Sequence, residues 1–277
     1  MSTTQELRGK VAWVTGSSRG IGQAIALRLA QAGASVAIHG SAPNSSAVFG
    51  EGASLAGVAD AIAASNDVKT CWVAADLRDL DATRDAAAQV EAALGPIDIL
   101  VACAGGDIGA AGVWAPHGGK IMDGNDALNL PDDDVRAIFE RNFLTCVNSC
   151  KAVVPAMIER HEGWVVTVGS IAGLSGAPGG SIYASSKAAV HEYTRCLAAQ
   201  VQTAGVHVNC VAPGDITTQR FRASRPLDAD READTSLARY GVGEDIADVV
   251  TFLVSPAAAY ITGQVLRVDG GKQVFPA

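Results

Sequence analysis

Seven short runs rich in β-branched residues alternate with longer alanine-rich segments of helical period, and this alternation restricts the chain to few architectures. The strand candidates are VAWVTG and its preceding lysine at 10–16, SVAIH at 35–39, KTCWVAAD at 69–76, IDILVAC at 97–103, GWVVTVGS at 163–170, VHVNCVAP at 206–213 and QVLRVDG at 264–270. Several are apolar almost throughout, as parallel strands covered on both faces are. Helices are predicted at about 20–32, 53–65, 80–94, 132–160, 181–204 and 243–255. The pattern predicts one α/β domain over residues 1–277, a Rossmann-like doubly wound parallel sheet of about seven strands with helices on both faces. Right-handed crossovers then bring the strand C-termini to one edge, where such sheets bind ligands. Three long loops, 40–52, roughly 104–131 and roughly 213–230, are candidates for function. Within the helix from 132, Asn142 and Pro155 predict a distortion or break.

Composition narrows the partners. A net charge of −8, with no basic run, disfavours nucleic acid and anionic membrane surfaces. The start, MSTTQELRGK, lacks the apolar core of a secretory leader, and no apolar run is long enough to span a bilayer. Six scattered cysteines include no CxxC pair, so the expectation is core thiols in a reducing, cytoplasmic compartment and no metal site.

TGSSRGIG (15–22) follows the first strand candidate and opens the first helix. Gly16, Gly20 and Gly22 permit a tight turn, close approach of a pyrophosphate and packing of helix on strand, while the helix N-terminus offers N–H donors to phosphate. A second motif, YASSK, sets Tyr183 and Lys187 one helical turn apart on one face. Such a pair is often no more than a half-buried surface contact. Alternatively the ammonium favours the phenolate and so prepares a proton-transfer group. Ser170 ends a buried strand candidate, and the intervening segment is long enough to fold Tyr183 back towards it. TVGSIAG is not the GxSxG elbow of a serine hydrolase, and His191 reads as structural or exposed.

In order and spacing, TGSSRGIG, DL at 76–77, ACAG at 102–105, Asn142, Ser170, YASSK and PGDITT at 213–218 resemble the short-chain dehydrogenase/reductase family of the classical type, from about residue 8 to 272. The resemblance implies hydride transfer between a secondary alcohol and a ketone. It implies Tyr183 as general acid/base, Lys187 as its electrostatic partner and a holder of the nicotinamide ribose, Ser170 orienting the substrate oxygen and Asn142 keeping a water-linked proton path. It further implies nucleotide contacts from Gly16, Ser18, Arg19, Gly20, Ile21, Gly22, Gly40, Ser41, Asp76, Leu77, Ala104, Gly105, Pro213, Gly214, Ile216 and Thr218. The family's paired asparagines are here Ala102 and Cys103, a departure that removes a polar brace from the central strand. Gly40 holds the place of the acid that accepts a ribose 2′-hydroxyl, and Arg19 is basic, so NADP(H) is favoured, with NAD(H) the alternative. Relatives suggest a homotetramer or dimer built through the helices at 132–160 and 181–204.

The 105–130 stretch reads as an inserted substrate loop and 213–232 as a substrate lid. Asp107, His117, Lys120 and Asp123 in the first, and Arg220, Arg222 and Arg225 in the second, predict a polar pocket wall. One of the arginines or Lys120 is expected to anchor a carboxylate or other anion, against the plainer reading of a solvated, charged lid. The expected small-molecule substrate is a polyol, sugar or hydroxy or sugar acid. A 3-oxoacyl-carrier-protein reductase is the enzymatic alternative, and a nucleotide-binding regulator without chemistry the remaining one.

Overall fold

The computed structural model describes residues 6–275, so the first five residues, on which part of the leader expectation rested, and the last two lie outside it. The sheet has seven parallel strands in the order β3-β2-β1-β4-β5-β6-β7: β1 (Val11–Val14), β2 (Ser35–Gly40), β3 (Thr70–Ala74), β4 (Ile99–Ala102), β5 (Gly163–Val168), β6 (Val206–Pro213) and β7 (Val265–Val268). The order reverses between β1 and β4, which opens a crevice above their C-terminal ends. Period-2 alternation divides the core between the two faces. In β1, Ala12 and Val14 pack beneath α1 (Gly20–Gln31), α2 (Leu55–Asn66) and α9 (Gly243–Leu253). Val11 and Trp13 face the other layer, formed by α3 (Leu80–Leu94), α5 (Thr145–Arg160) and α6 (Ser181–Val201). The doubly wound sheet expected from the sequence is therefore the one observed.

The predicted element ends shift by at most three residues, and three regions differ in kind. Helix 132–160 is divided into α4 (Asp132–Phe139), a π-helical turn (Glu140–Leu144) and α5. The break falls at Asn142, as expected, but Pro155 lies inside α5 without ending it. Pro155 is on the exposed face, where the freed carbonyl one turn earlier can turn to water. The 213–230 region contains α7 (Gln219–Ser224) and the start of α8 (Ala229–Ala233), so it is more ordered than a loop. The 40–52 loop folds as a 3₁₀ turn (Ser45–Phe49) with Ser45 and Ser46 buried. Among the described residues no helix is long and apolar enough to cross a membrane.

Candidate active site

The glycine turn is held in place by a histidine that sequence reading passed over. His39, in the penultimate position of β2, is buried; its Nδ1 accepts the Gly16 N–H at 2.9 Å and its Nε2 lies 3.1 Å from the Ala75 carbonyl oxygen. The His39 N–H donates to Ser17 Oγ, and the His39 carbonyl accepts the Ser18 N–H. Only a neutral ring with hydrogen on Nε2 satisfies both contacts, and burial pushes its pKa down to about 4. The available signal was a polar residue near the end of the apolar run SVAIHG. Gly16 (φ +68°) needs its glycine: an added Cβ would sit 2.8 Å from Ala104 Cα. A Cβ at Gly22 would meet the Gly16 carbonyl oxygen at 2.4 Å, so this glycine lets helix pack on turn.

Ala102 and Cys103 lack the expected polar brace, and Thr15 supplies one instead. Its Oγ1 accepts the N–H groups of Cys103 and Ala104 at 3.0 and 3.1 Å. Just beyond β3, Asp76 is clasped by the Arg78 guanidinium, whose hydrogen bonds hold the carboxyl below its usual range, and Leu77 is buried beside it.

The catalytic candidates sit at the other end of the crevice, on the loop after β5 and the first turns of α6. Lys187 is buried, with Nζ donating to the Val168 carbonyl at 2.8 Å and lying 5.8 Å from the centre of the Tyr183 ring. Ser170 caps the 3₁₀ turn Ile171–Leu174, its Oγ accepting the Ala172 N–H at 3.1 Å. Two glycines dock this turn on α6. A Cβ on Gly173 would lie 2.7 Å from Ala188 N, and one on Gly169 would lie 2.1 Å from His191 Nε2. His191 is structural: it is buried, its Nε2 accepts the Ser170 N–H at 3.3 Å, and burial, reinforced by Lys187, lowers its pKa to about 4. Asn142 lies behind the cleft. Its amide spans the Gly106 backbone, accepting the N–H at 2.8 Å and donating to the carbonyl at 2.9 Å, with a further bond to Ile138 O. In this position it braces the turn after β4.

All the other expected site residues line one cleft of about 970 Å³: the glycine turn, Gly40, Ser41, Asp76, Leu77, Ala104, Gly105, Ser170, Tyr183, Lys187, Pro213, Gly214, Ile216 and Thr218. At its substrate end the expectations hold only in part. Asp107 and Lys120 line the wall, whereas His117 and Asp123 do not; Asn125 and Asp126 take their place. Arg222 points away into an ion pair with Glu232, because that carboxylate on α8 is its nearest partner. Arg220 lines the wall as expected, but its guanidinium also fastens α7 to the 105–130 segment, donating to the Asp107 and Gly118 carbonyls. Arg225 stacks 4.5 Å from the Phe221 ring and faces the cleft with Lys120. Sequence reading also missed Lys272 and Gln273, which enter the wall from the C-terminal segment.

The lining fits a dinucleotide. Glycines that no side chain could replace form the cradle, and buried polar atoms of Glu51, Asp107, Asn125, Arg141 and Gln273 lack hydrogen-bond partners among the described residues. Such orphans are rare in folded proteins, and their concentration in one cleft is what a polar ligand would satisfy. Residues 10–228 match the family model described as short chain dehydrogenase. The chain belongs to the short-chain dehydrogenase family. Among its relatives, the cyclohexanol dehydrogenase of Rhodococcus sp. (strain TK6) is 39% identical over 98% of both chains. A 3-oxoacyl-[acyl-carrier-protein] reductase of Vibrio harveyi is 35% identical over 96% of this chain and 98% of its own. The solved structure of a 7α-hydroxysteroid dehydrogenase complexed with NADH and 7-oxo glycochenodeoxycholic acid superposes with a TM-score of 0.80 at 28% identity, covering 98% of this chain and 97% of that one. The short-chain dehydrogenase is thus an oxidoreductase acting on CH–OH or carbonyl groups with NAD(H) or NADP(H).

Proposed function

We propose that the enzyme interconverts a secondary alcohol and a ketone on a small molecule that carries polar or anionic groups, a polyol, sugar or hydroxy or sugar acid. A bound nicotinamide dinucleotide supplies the hydride acceptor or donor. The protein's part is to hold the carbinol and move one proton. Ser170 Oγ orients the substrate oxygen, and Tyr183 takes the hydroxyl proton during oxidation or returns it during reduction. Lys187, charged and buried beneath the ring, stabilises negative charge on the phenol oxygen. Asn142 holds the turn at Gly105 and Gly106, on which Lys187 also closes, and so keeps open a water-linked path to that amine.

One observation carries this reading: Ser170, Tyr183 and Lys187 converge in the cleft whose far end is the glycine turn. Lys120 and Arg225 support the anionic substrate, since both face the cleft, and burial together with the Arg225 charge lowers the Lys120 pKa. An anion between them would relieve that repulsion. We place the enzyme in the cytoplasm, consistent with six unpaired cysteines, and as a dimer or tetramer assembled through α4, α5 and α6, as the family resemblance implies. A 3-oxoacyl-carrier-protein reductase is the second reading, supported by the Vibrio harveyi relative. The retained trio speaks against a regulator without chemistry. The test is the absorbance of reduced nicotinamide with a panel of polyols, sugar acids, alicyclic alcohols and a 3-oxoacyl thioester. Turnover of a hydroxy acid or polyol, weakened at least tenfold in kcat/KM by Lys120→Ala or Arg225→Ala, supports the proposal. Activity confined to the thioester or to apolar alcohols refutes the substrate class.

The expectation of NADP(H) rested on Arg19 and on the missing acid at position 40. The structure bears on both grounds, because an acid from elsewhere in the chain stands beside Arg19.

A further inference from the structure

The crossover between β2 and α2 folds back over the nucleotide end of the cleft and carries Glu51 with it. Glu51 lines the cleft alongside Gly16, Arg19, Gly40, Ser41 and Ser45. Its Oε2 accepts the Gly20 N–H at 2.7 Å, and its backbone carbonyl is 3.4 Å from Gln23 Nε2, so both side chain and backbone are fixed on the first turn of α1. The second carboxylate oxygen, Oε1, is buried and lacks a hydrogen-bond partner among the described residues.

The same crossover changes the meaning of the two residues from which the nucleotide preference was read. A Cβ on Gly40 would fall 2.8 Å from Ser45 Cβ and 3.0 Å from Leu55 Cδ2. The space into which an acid at 40 would project is therefore filled by the crossover itself. Arg19 is not a free cation reaching for phosphate. Its Nη1 donates to the Ser45 carbonyl at 2.6 Å, and its guanidinium lies 5.5 Å from the Phe49 ring centre. Its positive field is opposed by the Glu51 carboxylate on the same wall.

We propose that Glu51 is the residue that selects the nucleotide, accepting a hydroxyl of the adenosine ribose and repelling a 2′-phosphate, so that NAD(H) is preferred over NADP(H). The proposal rests on the dinucleotide reading of the cleft. Its chemistry is simple. A ribose diol donates hydrogen bonds, and an ionised carboxylate can only accept them. A phosphate ester carries between one and two negative charges at neutral pH and offers mainly acceptors. Set against Glu51, it finds like charge where the diol finds a partner, and the single charge of Arg19 is already partly compensated. An acid brought in by a loop thus does the work usually expected at the end of the second strand.

Fluorescence titration of the intact enzyme with NADH and NADPH comes first. Failure of both to bind would refute the dinucleotide reading itself. With binding established, wild type is expected to show at least tenfold higher kcat/KM with NAD⁺ than with NADP⁺, and AMP to compete for NADH more strongly than adenosine 2′,5′-bisphosphate. Glu51→Gln, which keeps the shape and an acceptor for Gly20 but removes the charge, should shift the NAD⁺/NADP⁺ ratio at least tenfold towards NADP⁺, with Glu51→Ala moving it the same way. A wild-type preference for NADP⁺, or tighter binding of the bisphosphate, overturns the proposal without any variant. So does a ratio unchanged in variants whose thermal unfolding matches wild type.

Discussion

His39 and His191 tie the two ends of the cleft to the sheet, and each does so through a ring that must stay neutral. His39 accepts from Gly16 of the glycine turn, and His191 from the backbone of Ser170. Protonation would turn each acceptor nitrogen into a donor facing an N–H group. Both folded-state pKa values are lowered from 6.5 to about 4. The unfolded chain therefore binds more protons between those limits, and stability falls as pH drops below about 6.5. Between pH 7.5 and pH 5 the loss is on the order of 2 kcal/mol per histidine. Denaturant unfolding at the two pH values checks this. His39→Gln and His191→Gln should each flatten the dependence by roughly half, whereas a wild-type stability that is flat over this range would contradict the assignment.

At the scale of elements, the decisive contact is between the 3₁₀ turn that begins at Ser170 and the helix α6 that carries Tyr183 and Lys187. Gly173 permits it, since an added Cβ would strike the backbone of Lys187 and Ala188 at 2.7–2.8 Å. Gly173→Ala is expected to cost about 1–3 kcal/mol of stability, by the usual penalty for overpacking, and to lower kcat by displacing Ser170. Gly176→Ala in the same loop, where a Cβ meets nothing within 4 Å, is the control that should leave both unchanged. The elements, and the placing of Ser170, Tyr183 and Lys187 in one cleft, were legible because their signals are local: strand and helix periods, a glycine turn of fixed spacing, and Tyr183 one turn before Lys187. What escaped reading depends on partners far apart in sequence. His39 meets Gly16, Thr15 meets Cys103, and Glu51 meets Gly20 only after crossovers bring them together. Arg222 was misread although Glu232 is only ten residues on, because the pair forms only once α7 and α8 fold against each other. The departure at Ala102 and Cys103 was visible, but the compensating Thr15 hydroxyl was not.

The whole molecule separates binding from chemistry along one crevice. Its net charge is −8, and its substrate end is mixed: Lys120 and Arg225 face the cleft beside Asp107 and Asp126, while Lys272 is paired with Asp215 at 2.6 Å. Strand reversal between β1 and β4 places the glycine turn on one side, and β5 with α6 brings Ser170, Tyr183 and Lys187, the proposed proton-transfer residues, to the other. On the proposed mechanism a tyrosine backed by a buried ammonium moves the proton, while the glycine turn holds the dinucleotide independently. Tyr183→Phe separates the two. With a proven substrate, its kcat should fall 10²- to 10⁴-fold, the usual contribution of general acid–base catalysis, while the Kd for reduced dinucleotide by fluorescence stays within a few-fold of wild type. A variant that binds dinucleotide and turns over at the wild-type kcat would contradict the account.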